Sequence, residues 1–172
     1  MDFKRNGIVI SVADLVIEQL VLERLRAAEQ IIARPTLQPG VLPRIGAEIT
    51  ELGGVFAGVA RGNELLAEGE PDYYLIVGPE ASSKLEWKPA CDWAESVKHL
   101  GFADFSLTTR KEQALCFANV PELFQKEWYW SSEQRAGYSD DAWYQYFDYG
   151  YQDFALKGSF YRARAVRRVP IH

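Results

Sequence analysis

Between Trp143 and Phe154 the chain reads WYQYFDYGYQDF, four tyrosines and three further Trp or Phe rings in twelve residues. Rings this large either fill a core or face something other than water, so this segment constrains the fold more than any other. In a strand, alternate side chains point to opposite faces. From Ala142 onward that rule puts Trp143, Gln145 and Phe147 on one face and Tyr144, Tyr146 and Asp148 on the other. Trp and Phe mark a core face. The opposite face carries Tyr, Tyr and Asp, and Tyr149 and Tyr151 then flank Gly150 at a turn. Tyrosine has an apolar body and a polar tip and loses little entropy on contact. The outward row therefore has two readings: a recognition surface, or cross-strand packing inside a small sheet.

A chain of 172 residues makes one domain, or a domain with an arm. With 48% hydrophobic and 25% charged residues the composition is that of a globular protein. A net charge of −5 argues against a partner bound through its phosphate backbone, and no nucleic acid is expected. The RARAVRR run at Arg162–Arg168 is locally basic, but its alternation reads as a strand with one wet face. No apolar run approaches the roughly 20 residues that span a bilayer, so no membrane partner is expected. The start, MDFKRNGIVISVADL, lacks an apolar stretch followed by a small-residue cleavage site. The expected location is the cytoplasm where the chain is made, or a larger particle such as a virion. Cys91 and Cys116 are far apart with no CxxC pattern and are expected as buried thiols.

A long helix is expected from Ser11, where Ser11 and Asp14 have capping-box spacing, to Pro35. Ile17, Leu20, Val21, Leu25, Ala28, Ile31 and Ile32 form one broad arc, and Val12, Leu15, Val16 and Leu22 fall outside it. A helix packed on one surface needs a single stripe, so this one has apolar area to spare. Either a second element of the chain covers it, or another subunit does. On the second reading Leu15, Leu22 and Leu25 are the oligomerisation candidates of a homo-oligomer. PTLQPGVLPRIGAEITELGG follows as a linker or irregular crossing. The expected organisation is a helical arm and linker over residues 1–50 and a domain over residues 51–172. Within the domain, GGVFAGVARG and PDYYLIVGPE read as strands. WKPACDWAESVKHLG reads as a helix through Trp87, Ala90, Trp93, Ala94 and Val97. TRKEQALCFANV reads as a second, with a Thr109/Glu112 capping box and buried positions at Leu115, Phe117 and Ala118. Trp93, Phe117, Trp130, Trp143 and Phe147 are the expected core.

Three stretches, WYWSSEQ at Trp128–Gln134, AWYQYFDYG at Ala142–Gly150 and RARAVRR, resemble the C-terminal half of a widespread domain of unknown function with the C-type-lectin-like fold. That domain ends bacterial collagen-like adhesins, and related folds occur in phage receptor-binding proteins and in the variable proteins of diversity-generating retroelements. GGVFAGVARG, YYLIVGPE, WKPACDWAESV and FSLTTRKEQALCFANV resemble its phage and prophage branch, in that order. The resemblance runs from about Gly53 to Val169. Thr108 departs from it, standing where the family has Pro. It implies an α+β fold of two helices and a twisted antiparallel sheet, whose C-terminal strands form the ligand-facing end. Recognition in the retroelement relatives uses positions that correspond here to Tyr144, Tyr146, Asp148, Tyr149, Tyr151 and Asp153, the face that the alternation also selects.

Catalytic signals are few. His99 and His172 have no ligand-spaced partner, the Gly-rich stretch lacks the Lys-Ser/Thr of a phosphate loop, and the aspartates lack EF-hand spacing. The calcium-dependent sugar motifs of C-type lectins are absent. No catalytic residue, metal or cofactor is expected. Formylglycine-generating oxidases share the broad fold and use paired cysteines, but Cys91 and Cys116 fall on the two expected helices. The expected function is a non-enzymatic binding module for a protein, with a glycan as the lesser alternative, oligomerised by its arm. A cytosolic phage effector that blocks a host protein is the alternative, and a purely structural assembly protein is a third.

Overall fold

A computed structural model describes residues 3–5, 8–10, 17, 19–24, 42–62, 69 and 71–171. They fall in two compact units, Met1–Val41 and Leu42–His172. In the first, strands β1 (Phe3–Arg5) and β2 (Ile8–Ile10) pair antiparallel. The chain is helical at 17 and 19–24 (α1), where Ile17, Leu20, Val21 and Leu22 are all exposed. The expected cap at Ser11, the helix end at Pro35, and Leu15 and Leu25 lie outside the described residues.

The second unit is α+β with antiparallel sheets. Its larger sheet has five strands in the order β3 (Glu48–Ile49), β4 (Gly54–Ala60), β5 (Tyr73–Glu80), β10 (Arg164–Pro170) and β6 (Phe105–Leu107). A three-stranded sheet follows the order β7 (Trp128–Gln134), β8 (Asp141–Tyr146), β9 (Gln152–Leu156). Two helices, α2 (Trp87–Ser96) and α3 (Arg110–Asn119), pack between and beside them. The stretch expected as a linker belongs to this unit from Leu42 on, because Ile49 on β3 and Leu52 in a 3-10 turn are buried against Phe56 and Ile76.

Strand period explains the core. Ile76 on β5 faces that cluster, whereas Leu75 and Val77 face the other way, onto Cys116 of α3, Val120 just after it, and Phe147. A strand covered on both faces needs the unbroken apolar run that β5 has. Helix α2 turns Ala90 and Ala94 inward, and these small residues let it sit close to Trp130 and Leu107. The indoles of Trp87 and Trp130 donate to the carbonyls of Ser131 and Leu85 at 2.8 and 2.9 Å.

Helix α3 departs from expectation. Its capping box is present: the Thr109 hydroxyl accepts from Glu112 N–H and Glu112 accepts from Thr109 N–H. Its fully buried side chains, however, are Glu112, Gln113 and Cys116, while Leu115 and Phe117 are half-buried and Ala118 is exposed. The helix meets polar groups on both flanks. Glu112 receives Tyr73 Oη at 2.6 Å and the Arg168 guanidinium. The Gln113 amide donates to the carbonyls of Tyr129 and Trp130. Burial requires such partners, and here the partners select the residues.

The arginines of β10 and the residues before it also differ from a strand with one wet face. Arg162 and Arg164 pair with Glu80 at 3.1 and 2.8 Å, Arg162 with Glu127 at 3.0 Å, Arg167 with Asp104 at 2.5 Å and Arg168 with Glu112 at 2.6 Å. Ala163 and Ala165 between them are fully buried. Among the described residues no helix is long and apolar enough to cross a membrane.

Candidate recognition surface

Register gathers several aromatic residues of the small sheet on one face. Trp128 lies opposite Tyr146 and Trp130 opposite Tyr144 across β7 and β8. Tyr144 lies opposite Asp153 across β8 and β9, and Tyr146 N–H bonds the Tyr151 carbonyl at 3.0 Å to close the hairpin. Directly opposed residues share a face, so Trp128, Trp130, Tyr144, Tyr146, Tyr151 and Asp153 all look the same way.

That face is covered at one end and open at the other. The chain around Tyr161 crosses the Trp130 end, with Tyr161 ring centroids 4.8 Å from Trp130 and 4.9 Å from Tyr144. Tyr144 is consequently 8% exposed, which corrects its placement among exposed ligand-binding residues. Burial pushes its hydroxyl up to about 12, and Asp153 adds to the effect. Toward the hairpin tip Tyr146 is half-buried, Tyr151 is 50% exposed and Tyr149 is 73% exposed. Half-buried Trp128 lies beneath them, 4.5 Å from Tyr146 and 5.3 Å from Tyr151. Tyr146 lies 5.8 Å from Tyr149 and 5.6 Å from Tyr151, and those two rings are nearly parallel at 11°, with centroids 6.5 Å apart. The three hydroxyls make no hydrogen bond to the described residues.

The tip itself is a turn. β8 ends at Tyr146, so the strict alternation does not reach Phe147 and Asp148. Gly150 has φ +80°, and its N–H bonds the Tyr146 carbonyl at 2.7 Å. A Cβ there would lie 2.3 Å from the Phe117 ring, so glycine is required by both backbone and space. Asp148 is half-buried and pairs with Lys126 at 3.1 Å, which raises the Lys126 pKa. Asp153 is exposed, and its carboxylate accepts the next backbone N–H, of Phe154, at 2.9 Å.

Trp143 is half-buried on the opposite face of β8, which corrects its expected core placement. It stands edge-on to Phe154, with the Arg110 guanidinium 3.6 Å over its ring. Among the other expected core residues Trp130 and Phe147 are buried, while Trp93 and Phe117 are half-buried and pack against the edge of the core. Trp128, Tyr161 and Lys126 also belong to the surface, although nothing local in the sequence marks them for it. The pairing of Trp128 with the Tyr positions needed a strand register that sequence spacing does not supply.

A separate concavity of about 950 Å³ opens at the start of α3, beside Tyr73, Arg110, Lys111, Glu133 and Gln152. Several of its polar groups bind each other: Glu133 accepts Arg110 N–H at 2.7 Å, and Arg110 Nε donates to Gln152 at 3.1 Å. Both cysteines are free, and burial pushes the Cys91 and Cys116 thiols up to about 11 and about 12. Among the described residues no three His, Cys, Asp or Glu side chains come together as a metal-binding group. No protein-family model matches the chain, and no curated protein matches it.

Proposed function

We propose that this protein is a non-enzymatic binding module of phage or prophage type, with a C-type-lectin-like head that recognises a protein ligand through the tip of the β8–β9 hairpin. The observation that carries this reading is the display of Tyr149 and Tyr151, 73% and 50% exposed, on a ring cluster rooted in buried Trp130. Large rings held rigid from below lose little entropy on contact, and free hydroxyls give them directional partners. Of the residues assigned to the ligand, Tyr146, Asp148, Tyr149, Tyr151 and Asp153 remain in the surface, and Trp128 joins them. A glycan is the lesser alternative ligand. The high thiol pKa of both cysteines supports a non-redox role for them, since the thiolate is the reactive form. The apolar residues exposed on α1, Leu22 among them, support an assembling arm that multiplies weak contacts. The proposed location is the bacterial cytoplasm or a virion.

Light scattering after size exclusion, with thermal melting, tests whether the face is free for a ligand. A Tyr149→Ser/Tyr151→Ser chain is expected to keep the wild-type mass and melting temperature. A drop in mass would mean that the tyrosines hold subunits together, and the reading as a ligand surface would fall.

A further inference from the structure

The domain itself shows how it seats an arginine. The Arg135 guanidinium carbon lies 3.5 Å from the centre of the Phe154 ring and 3.7 Å from that of Tyr138, and Arg135 pairs with Asp141 at 3.1 Å. Two rings supply their negative faces and a carboxylate supplies the counter-charge. Guanidinium suits such a slot because it is planar and weakly hydrated.

The hairpin tip also brings rings and a carboxylate together: three tyrosine rings, with the charge of Asp148 acting on Tyr146. Tyr149 and Tyr151 are nearly parallel, 11° apart in plane and 6.5 Å in centroid, with Tyr146 inclined to both at 46° and 53°. A cation seated between the three centroids lies inside the roughly 6 Å reach of each ring. The carboxylate is Asp148, between Tyr146 and Tyr149 in the chain, and its cation is Lys126, whose side chain is 81% exposed. An exposed lysine pair of this kind is weak and exchangeable. Asp153 adds negative charge on the same face, and the whole chain carries −5. The tyrosine hydroxyls make no hydrogen bond to the described residues and can accept guanidinium N–H groups.

We propose that the Tyr146, Tyr149 and Tyr151 cluster is a clamp for an arginine side chain on the surface of the protein ligand, with Asp148 as its counter-ion and Lys126 as the intramolecular cation that the arginine displaces. This deepens the binding-module reading and rests on it.

The test uses the full-length chain and three short Gly-flanked peptides with arginine, lysine or citrulline at the centre, followed by NMR shifts of the backbone amides of residues 146–153. The arginine peptide is expected to shift these amides saturably, about fivefold tighter than citrulline, which keeps the shape without the charge, and tighter than lysine. Asp148→Asn is expected to weaken the arginine peptide, and Lys126→Gln to strengthen it by removing the competitor. Equal affinity for arginine and citrulline, equal affinity for arginine and lysine, shifts confined to other parts of the chain, or an unchanged affinity in Asp148→Asn would each overturn the clamp. Failure here is distinguishable from failure of the binding-module reading. If Tyr149→Ser/Tyr151→Ser abolishes capture of a macromolecular ligand while arginine and citrulline peptides bind alike, the surface stands and the clamp falls. If the double substitution leaves capture intact, the surface falls, and the clamp with it.

Discussion

Arg168 on β10 grips Glu112 on α3 with two parallel bonds, Nε to Oε1 at 2.6 Å and Nη2 to Oε2 at 2.7 Å. Glu112 is 1% exposed and also accepts Tyr73 Oη and Thr109 N–H at 2.6 Å each, so one carboxylate joins β5, β10 and the start of α3. Burial alone would raise the Glu112 pKa, but the Arg168 bonds and charge, with Tyr73 and Thr109, hold it below the usual carboxylate range. Burial and the Glu112 bond push Tyr73 in the opposite direction.

Glu112→Gln leaves the Arg168 charge unpaired and is expected to cost about 3 kcal/mol. The pH dependence follows from the sign of the shift. A carboxyl whose folded pKa is depressed stabilises fully above its unfolded pKa, near 4.3, and loses that contribution as pH falls through the folded value. Denaturant melts should therefore show wild-type stability falling on acidification below about pH 4, with a shallower fall in Glu112→Gln. Equal stability of the two chains at pH 7 would contradict this account.

Trp130 and Trp143 differ in kind although both sit in aromatic strands. Trp130 is fully buried and its indole donates to the Leu85 carbonyl, so Trp130→Ala is expected to cost about 3–5 kcal/mol. Trp143 is half-buried between Arg110 and Phe154, and its replacement by Ala should cost about half as much. Chemical denaturation of both variants checks the order. A larger loss for Trp143→Ala would mean that the stack with Arg110, not the interior, holds the small sheet.

Gly150→Ala meets the Phe117 ring at 2.3 Å with the backbone at φ +80°. A loss of about 1–3 kcal/mol is expected from overpacking, together with changed positions of Tyr149 and Tyr151 on either side. Amide shifts across the hairpin would report that change. A variant with wild-type melting and an unshifted hairpin would contradict the requirement for glycine.

Cys116 is fully buried, and its thiol is pushed up to about 12; that of Cys91 reaches about 11. Neither supplies appreciable thiolate at neutral pH, so iodoacetamide should label the folded chain slowly at both and the denatured chain quickly. Mass spectrometry counts the labels. Rapid labelling of Cys91 in the folded chain would show a reactive thiol and reopen the redox reading.

Local signals were legible in the sequence. The capping box of Thr109 and Glu112, the apolar run of β5 and the Ala90 and Ala94 face of α2 all follow from short-range spacing. What spacing did not supply was partners. Period-2 alternation shows that Tyr144 and Tyr146 share a face, but whether that face is open depends on Tyr161, which crosses only its Tyr144 end. The α+β class was legible for the same reason as the strands, because periodicity and Gly/Pro boundaries are local. The buried Glu112 and Gln113 were not, since a polar residue becomes a core residue only when Arg168 or the β7 carbonyls arrive from elsewhere in the chain.

The most direct measurement is capture by the immobilised full-length chain from extracts of candidate bacterial hosts, run beside the Tyr149→Ser/Tyr151→Ser chain at matched folding and mass. A protein retained by the wild type and lost from the variant is the expected result. A protein retained equally by both, at equal affinity, would contradict recognition through the β8–β9 tip.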